Sequence, residues 1–296
     1  MFPDINNWRQ FIDRLLLWLA TMLIGAGVVY FFAYNWNAMG RFSKFGLIEL
    51  IIVLSLSIIW RIGIERTSGK SALTGAALSV GVLLALIGQT YQTGADTYEL
   101  FTAWALMILP WVVIGRFATL WTFWLVLVNT AFILYFRTFG GFFGILFSSM
   151  ELLWVLFIVN TIALSIWKSL AINVFSWLQE RWNERLLITT SAGLITVLML
   201  YSIFDHVDFS AIAVPVWFVW IGGMYTVYRM KYLDVYALAC LSLSVIVVVT
   251  SFMARHLLEH GDAGGFLLIG IMVIAMTGYA GWWLKQIIKG NIHEAA

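Results

Sequence analysis

Long apolar runs alternate with short polar breaks from one end of the chain to the other. A helical crossing of a bilayer needs about 17 to 25 apolar residues. Ten stretches meet that length, at about 15–34, 45–64, 72–88, 98–115, 117–136, 143–167, 186–204, 211–228, 233–253 and 266–284. The pattern therefore predicts an all-α fold, a polytopic bundle of about ten transmembrane helices forming a single transmembrane domain over 1–296. Ten spans also allow a five-plus-five division near 137–142, a plan common among transporters. Between the sixth and seventh spans, residues 168–185 place Leu170, Val174, Leu178 and Trp182 on one helical face, with Asn173, Glu180 and Asn183 opposite. That suits an amphipathic helix in the inner interface, and an extension of a span into the cytoplasm is the competing reading.

The third span breaks its pattern in an informative way. Ala77, Gly81 and Ala85 recur every four residues, a ridge of small side chains along which another helix can approach closely. Gln89 and Thr93 continue that ridge as polar groups. At unbroken helical pitch Gln89, Gln92, Asp96 and Glu99 would share a face, but Gly94 argues for a helix end. Asp96 then reads as the N-cap of the next span, with Glu99 at its third position. Gln89 and Gln92 precede the break, and on this reading capping does not explain them.

Composition sharpens the class. Of 296 residues 62% are hydrophobic and 11% charged, with a mean hydropathy of +0.93, which leaves too little polar surface for a soluble domain. With 17 basic and 15 acidic residues, nothing points to nucleic acid. Cys240 is the only cysteine and lies in an apolar run, which excludes an intramolecular disulfide and a cysteine-cluster metal site. Arg9 and Arg14 precede the first run without a small-x-small cleavage pattern, as expected for a retained span. With the N-terminus inside, thirteen of the 17 Lys and Arg fall on the inner side; Arg41, Lys44, Arg137 and Arg255 fall outside. That asymmetry predicts both termini in the cytoplasm.

Glu49 and Glu151 are the carboxyls within apolar spans, and both lie toward the outer side in this orientation. Charges in hydrocarbon are costly and usually face a bundle interior or water. The expected site is therefore a polar, substrate-binding cluster in the outer half, built from Gln89, Gln92, Asp96 and Glu151 with Asn35 and Glu49. Such a site suits a secondary transporter or a lipid or solute carrier, with Glu151, desolvated, exchanging protons. Structural bonds to Arg137 or Lys44 are the competing explanation for the two glutamates. The alternative function is a non-catalytic membrane subunit or scaffold that docks a periplasmic or membrane partner. No catalytic residues, cofactor motif or need for a cofactor emerges, so an enzyme is not expected.

Two motifs carry little weight. His256, Glu259 and His260 form H-x-x-E-H, the inverted zinc-peptidase arrangement, yet beyond Asp262 the only downstream carboxylate is Glu294 at the opposite face. His206 with Asp205 or Asp208 could join His256 and His260 in a looser metal site. GIERTSGKS at 63–71 imitates a phosphate-binding loop but has five residues between its glycines where four are needed, so it reads as a basic turn.

GAGVVYFFAYNWNAMGRFSK at 25–44 and LIGQTYQTGADTYELFTAWALMILP at 86–110 together resemble a bacterial family of predicted membrane proteins, domain of unknown function 2157. The likeness covers roughly the first 120 residues and is specific in the GQ-x-YQ-x-GAD run. It implies a multi-pass protein of the bacterial inner membrane, in contact with the lipid bilayer. It implies no activity for Asn35, Trp36, Gln89, Gln92 or Asp96.

Overall fold

A computed structural model of the chain describes residues 5–35, 39–139, 149–173, 181–204, 212–257 and 263–294. All regular structure among them is helical: α1 (Ile5–Tyr34), α2 (Arg41–Ile62), α3 (Thr67–Tyr91), α4 (Thr97–Gly115), α5 (Ala118–Phe139), α6 (Ser149–Asn173), α7 (Arg181–Phe204), α8 (Ala213–Thr226), α9 (Val235–Leu257) and α10 (Ala263–Glu294). Nine of these helices are long and apolar enough to cross a membrane. The exception is α8, whose 14 residues continue as a π-helical turn, Val227–Lys231. At 1.5 Å per residue its α-helical part is about 21 Å long, short of a hydrocarbon core of about 30 Å.

Several hydroxyl side chains in the apolar helices bond back to their own backbone. Ser57, Thr74, Ser79, Thr102 and Thr130 each donate to the carbonyl four residues earlier, at 2.7–3.0 Å. Those bonds let Ser and Thr enter hydrocarbon without an unsatisfied donor.

The chain divides into two compact units, Met1–Leu146 and Phe147–Ala296. In the first, α3 is central: α1, α2 and α4 all pack on it, and α5 packs on α4. Its best apolar window is half buried, whereas that of α1 is not buried at all. The small ridge explains why. Ala77 and Gly81 are buried, and the Trp104 indole of α4 lies over them, its Nε1 donating to the Ala77 carbonyl at 2.7 Å. One helix on, Trp124 of α5 donates to the Ala105 carbonyl of α4 at 3.0 Å. Leu73, Val80, Ile108, Val112, Leu120 and Leu127 close the core around these contacts.

Both short hairpins of this unit sit at its basic end. Gly63, at φ 88°, ends α2, and α3 starts at Thr67, so the second half of GIERTSGKS is helix and not loop. A Cβ at Gly69 would lie 2.1 Å from the Gly63 carbonyl oxygen, so glycine there sets how tightly α2 and α3 join. Arg116, at φ 49°, turns α4 into α5. The Lys70 amine stands 5.9 Å from the centroid of buried Phe117, next in the chain.

In the second unit α7 packs on α6, α8 and α9, and α9 also carries α10. A buried polar chain joins its three middle helices: Trp217 Nε1 donates to Ser244 Oγ at 3.0 Å, Ser244 and Thr196 hydroxyls meet at 2.6 Å, and Thr196 donates to the Ala192 carbonyl at 2.6 Å. Of the expected interfacial helix, 168–173 belong to α6 and 181–185 to α7, and 174–180 lie outside the described residues.

Candidate functional site

The expected polar cluster begins where α3 ends. The helix stops at Tyr91, and Gln92, not Gly94, is its C-cap, in left-handed conformation at φ 46° and ψ 49°. Gly94 follows with φ 68°. Capping therefore accounts for Gln92, against the expectation that it would not. A left-handed Gln costs about 1–2 kcal/mol that Gly would not. Asp96 is the N-cap of α4, as expected, with extended backbone at φ −68° and ψ 156°. Its carbonyl accepts the Glu99 N–H at 3.0 Å, whereas its carboxylate makes no capping bond. The Tyr98 hydroxyl donates to Glu99 at 3.3 Å, and its ring meets Tyr135 and Phe139 of α5 edge-on.

Gln89 in the last turn of α3, Gln92 at its C-cap and Asp96 at the N-cap of α4 thus flank one short turn, and all three are exposed. Asn35 is half-buried just past α1, its Nδ2 donating to the Phe31 carbonyl at 3.0 Å. Glu49 is exposed, five residues from α2's buried Lys44 and so about 140° around the helix from it. Glu151 belongs to the second unit, in the first turn of α6, half-buried. Its Oε2 is buried and has no hydrogen-bond partner among the described residues, and the same holds for Trp154 Nε1 one turn on.

The first unit also has a cleft that residue patterns had not indicated. Because α1 and α2 each pack on α3, a gap of about 370 Å³ runs between them, lined by Ile24, Gly27, Val28, Phe31, Leu47 and Ile51. The α1 residues fall at i, i+3, i+4 and i+7, one face of the helix. Gly27 keeps the floor low, since a Cβ there would meet nothing within 4 Å. Asn35 lies four residues beyond Phe31, just past the end of α1, and Lys44 one turn beyond Leu47 on α2. The apolar trough thus ends in polar groups.

A second cluster, in the other unit, also went unread in sequence. Lys168 of α6 donates to Glu184 of α7 at 2.6 Å, and the Tyr228 hydroxyl donates to the same oxygen at 2.6 Å. The Lys168 amine also stands 5.1 Å from the Tyr228 centroid and 4.7 Å from that of Tyr232. The π turn, closed by Tyr232 N–H on the Val227 carbonyl at 2.9 Å, lets both rings face it. Alongside, Arg185 binds both carboxylate oxygens of Asp234, at 3.2–3.4 Å, and Asp234 also caps α9 through the Tyr236 N–H at 2.9 Å. These charges are largely paired with one another, which suits a clamp between helix ends more than a vacant site. Opposite charges at the adjoining ends of α6, α7 and α9 were the available signal.

Of the metal candidates, His206 and His260 lie outside the described residues, as do Asp205, Asp208 and Glu259. His256 is exposed, its Nδ1 donating to the Phe252 carbonyl at 2.9 Å. Among the described residues no group of three His, Cys, Asp or Glu could hold a metal ion.

Fold and polar ends together define a polytopic α-helical membrane protein. Residues 4–121 match the family described as Predicted membrane protein (DUF2157), the family that 25–44 and 86–110 resemble. No curated protein matches the chain. The matched segment contains the whole cleft and the α3–α4 turn with Gln89, Gln92 and Asp96.

Proposed function

We propose that the protein is a lipid-handling carrier of the bacterial inner membrane, in which the α1–α2 cleft holds an acyl chain while Asn35, Gln89, Gln92 and Asp96 stand at headgroup level. The observation that carries this reading is the apolar cleft lined by Ile24, Val28, Phe31, Leu47 and Ile51, with Asn35 just past the end of α1 and Lys44 one turn on along α2. A polar solute calls for convergent polar groups within an enclosed pocket, and the loop glutamine and aspartate side chains are exposed instead. Glu49, turned away from Lys44, and Glu151, in the second unit, have no part in this proposal. The distribution of Lys and Arg favours the polar end facing the periplasm and both termini facing the cytoplasm.

Filling the trough tests the reading. Gly27→Leu puts an isobutyl group into space that is open around Gly27. Native mass spectrometry of delipidated wild-type protein should find one tightly held phospholipid, and the variant should lose it while its thermal midpoint holds. Equal retention by both proteins would overturn the proposal.

A further inference from the structure

Helix α3 begins without a side-chain cap. Arg66 stands at its N-cap with extended backbone, φ −76° and ψ 147°, and the first turn holds no acidic residue. The ladder of the helix starts at the Lys70 N–H, which donates to the Arg66 carbonyl at 3.0 Å. The N–H groups of Thr67, Ser68 and Gly69 precede it, and no acceptor meets them among the described residues. They carry the positive end of the helix dipole. Gly69 is buried where α2 closes on α3, whereas Thr67 and Ser68 are half-buried.

A second observation comes from Ser71. It follows Thr67 and Ser68 at four- and three-residue steps, so it shares their side of the helix, and its Cβ leans back toward the N-terminus. Ser71 is 7% exposed, and its Oγ is buried with no hydrogen-bond partner among the described residues. Thr74 and Ser79 of the same helix satisfy their hydroxyls on the carbonyl four residues back; Ser71 does not. A buried hydroxyl left unpaired is costly, and the cost is recovered when an acceptor arrives.

We infer that the start of α3 binds a phosphate group, whose oxygens accept from the Thr67 and Ser68 N–H groups and from the Ser71 hydroxyl. Unused N–H donors at the positive end of a helix suit an anion, and a tetrahedral oxyanion offers acceptors to all three donors at once. Arg66 and Lys70 lie in the same turn, and the adjoining carboxylate, Glu65, is exposed and precedes the N-cap. No strand leads into the turn, so the site holds the phosphate alone and not a nucleotide. It lies at the opposite end of α3 from the Gln89–Asp96 turn, and it does not depend on the lipid-cleft reading.

Titration of delipidated full-length protein with inorganic phosphate, and of the protein in phosphatidylcholine nanodiscs with phosphatidic acid, tests this against chloride at equal ionic strength. Binding of inorganic phosphate identifies a free phosphate as a sufficient ligand; binding of phosphatidic acid alone identifies a lipid headgroup. Ser71→Ala deletes the hydroxyl, and Thr67→Pro deletes one N–H at a position where proline suits the helix and the extended Arg66 accommodates it. Each should weaken binding at least about tenfold, the worth of one hydrogen bond to a charged group, and Ser71→Ala should leave the ligand-free thermal midpoint no lower. Should Thr67→Pro misfold, Ser71→Ala decides. Binding of neither ligand, binding unchanged in either folded variant, or a lower ligand-free midpoint in Ser71→Ala overturns the inference.

Discussion

Gly81 is where the packing of the first unit is most exactingly set. Its Cβ would stand 2.4 Å from Cε2 and Cζ2 of Trp104, where ordinary contact starts near 3.4 Å, so the indole must retreat by about 1 Å. The Trp104 bond to the Ala77 carbonyl, now 2.7 Å, lengthens or breaks. Overpacking of this kind costs about 1–3 kcal/mol and the lost hydrogen bond about 1 kcal/mol. The better helix propensity of Ala returns about 1 kcal/mol. Gly81→Ala should therefore destabilise by about 2 kcal/mol, lowering the thermal midpoint of detergent-solubilised protein by about 4–8 °C. Gly75, two turns earlier on α3, has nothing within 4 Å of its would-be Cβ, and Gly75→Ala should raise the midpoint. Trp104→Ala should abolish the penalty of Gly81→Ala in a double-mutant cycle. The same sign for both glycines, or strict additivity with Trp104→Ala, would refute the close-approach account.

Gly69→Ala sets a Cβ 2.1 Å from a backbone oxygen, which yields less than a side chain, so it should lower the midpoint more than Gly81→Ala does. Gln92→Gly releases about 1–2 kcal/mol of left-handed strain against about 0.5–1 kcal/mol of added unfolded-chain entropy, so it should stabilise by about 0.5–1 kcal/mol, visible as a higher midpoint; a loss would show that the Gln92 side chain contributes contacts of its own. Lys168→Met and Glu184→Gln each strand a mostly buried partner, so each should destabilise by more than about 1 kcal/mol and the double variant by less than both together. Additive losses would mean that the pair does not act as a unit.

The helices were legible because each apolar run must be long enough to hide its own backbone in lipid, and that length is written locally. The close approach of a neighbouring helix to α3 was legible too, in the spacing of Ala77, Gly81 and Ala85, since only small residues admit an indole so near the backbone. Gln92 was not, because left-handed caps belong by rule to glycine and Gly94 offered itself two residues on. The short α-helical part of α8 escaped because an apolar run does not reveal where an α-helix widens into a π turn. The cleft and the Lys168–Glu184–Tyr228 cluster depend on which helices become neighbours. Helical period cannot specify that two helices both pack on α3 and leave a gap, and Gly27 was the one local trace of it.

The claim that most depends on geometry is that an acyl chain occupies the α1–α2 cleft. A phospholipid carrying a photoactivatable diazirine on its chain, cross-linked in native membranes and mapped by peptide mass spectrometry, addresses it directly. Adducts should concentrate on Ile24, Val28, Phe31, Leu47 and Ile51, above those on exposed apolar side chains of α10 such as Leu267 and Ile274, and fall in Gly27→Leu. Labelling spread evenly over both helix faces, unchanged by that substitution, would contradict the account.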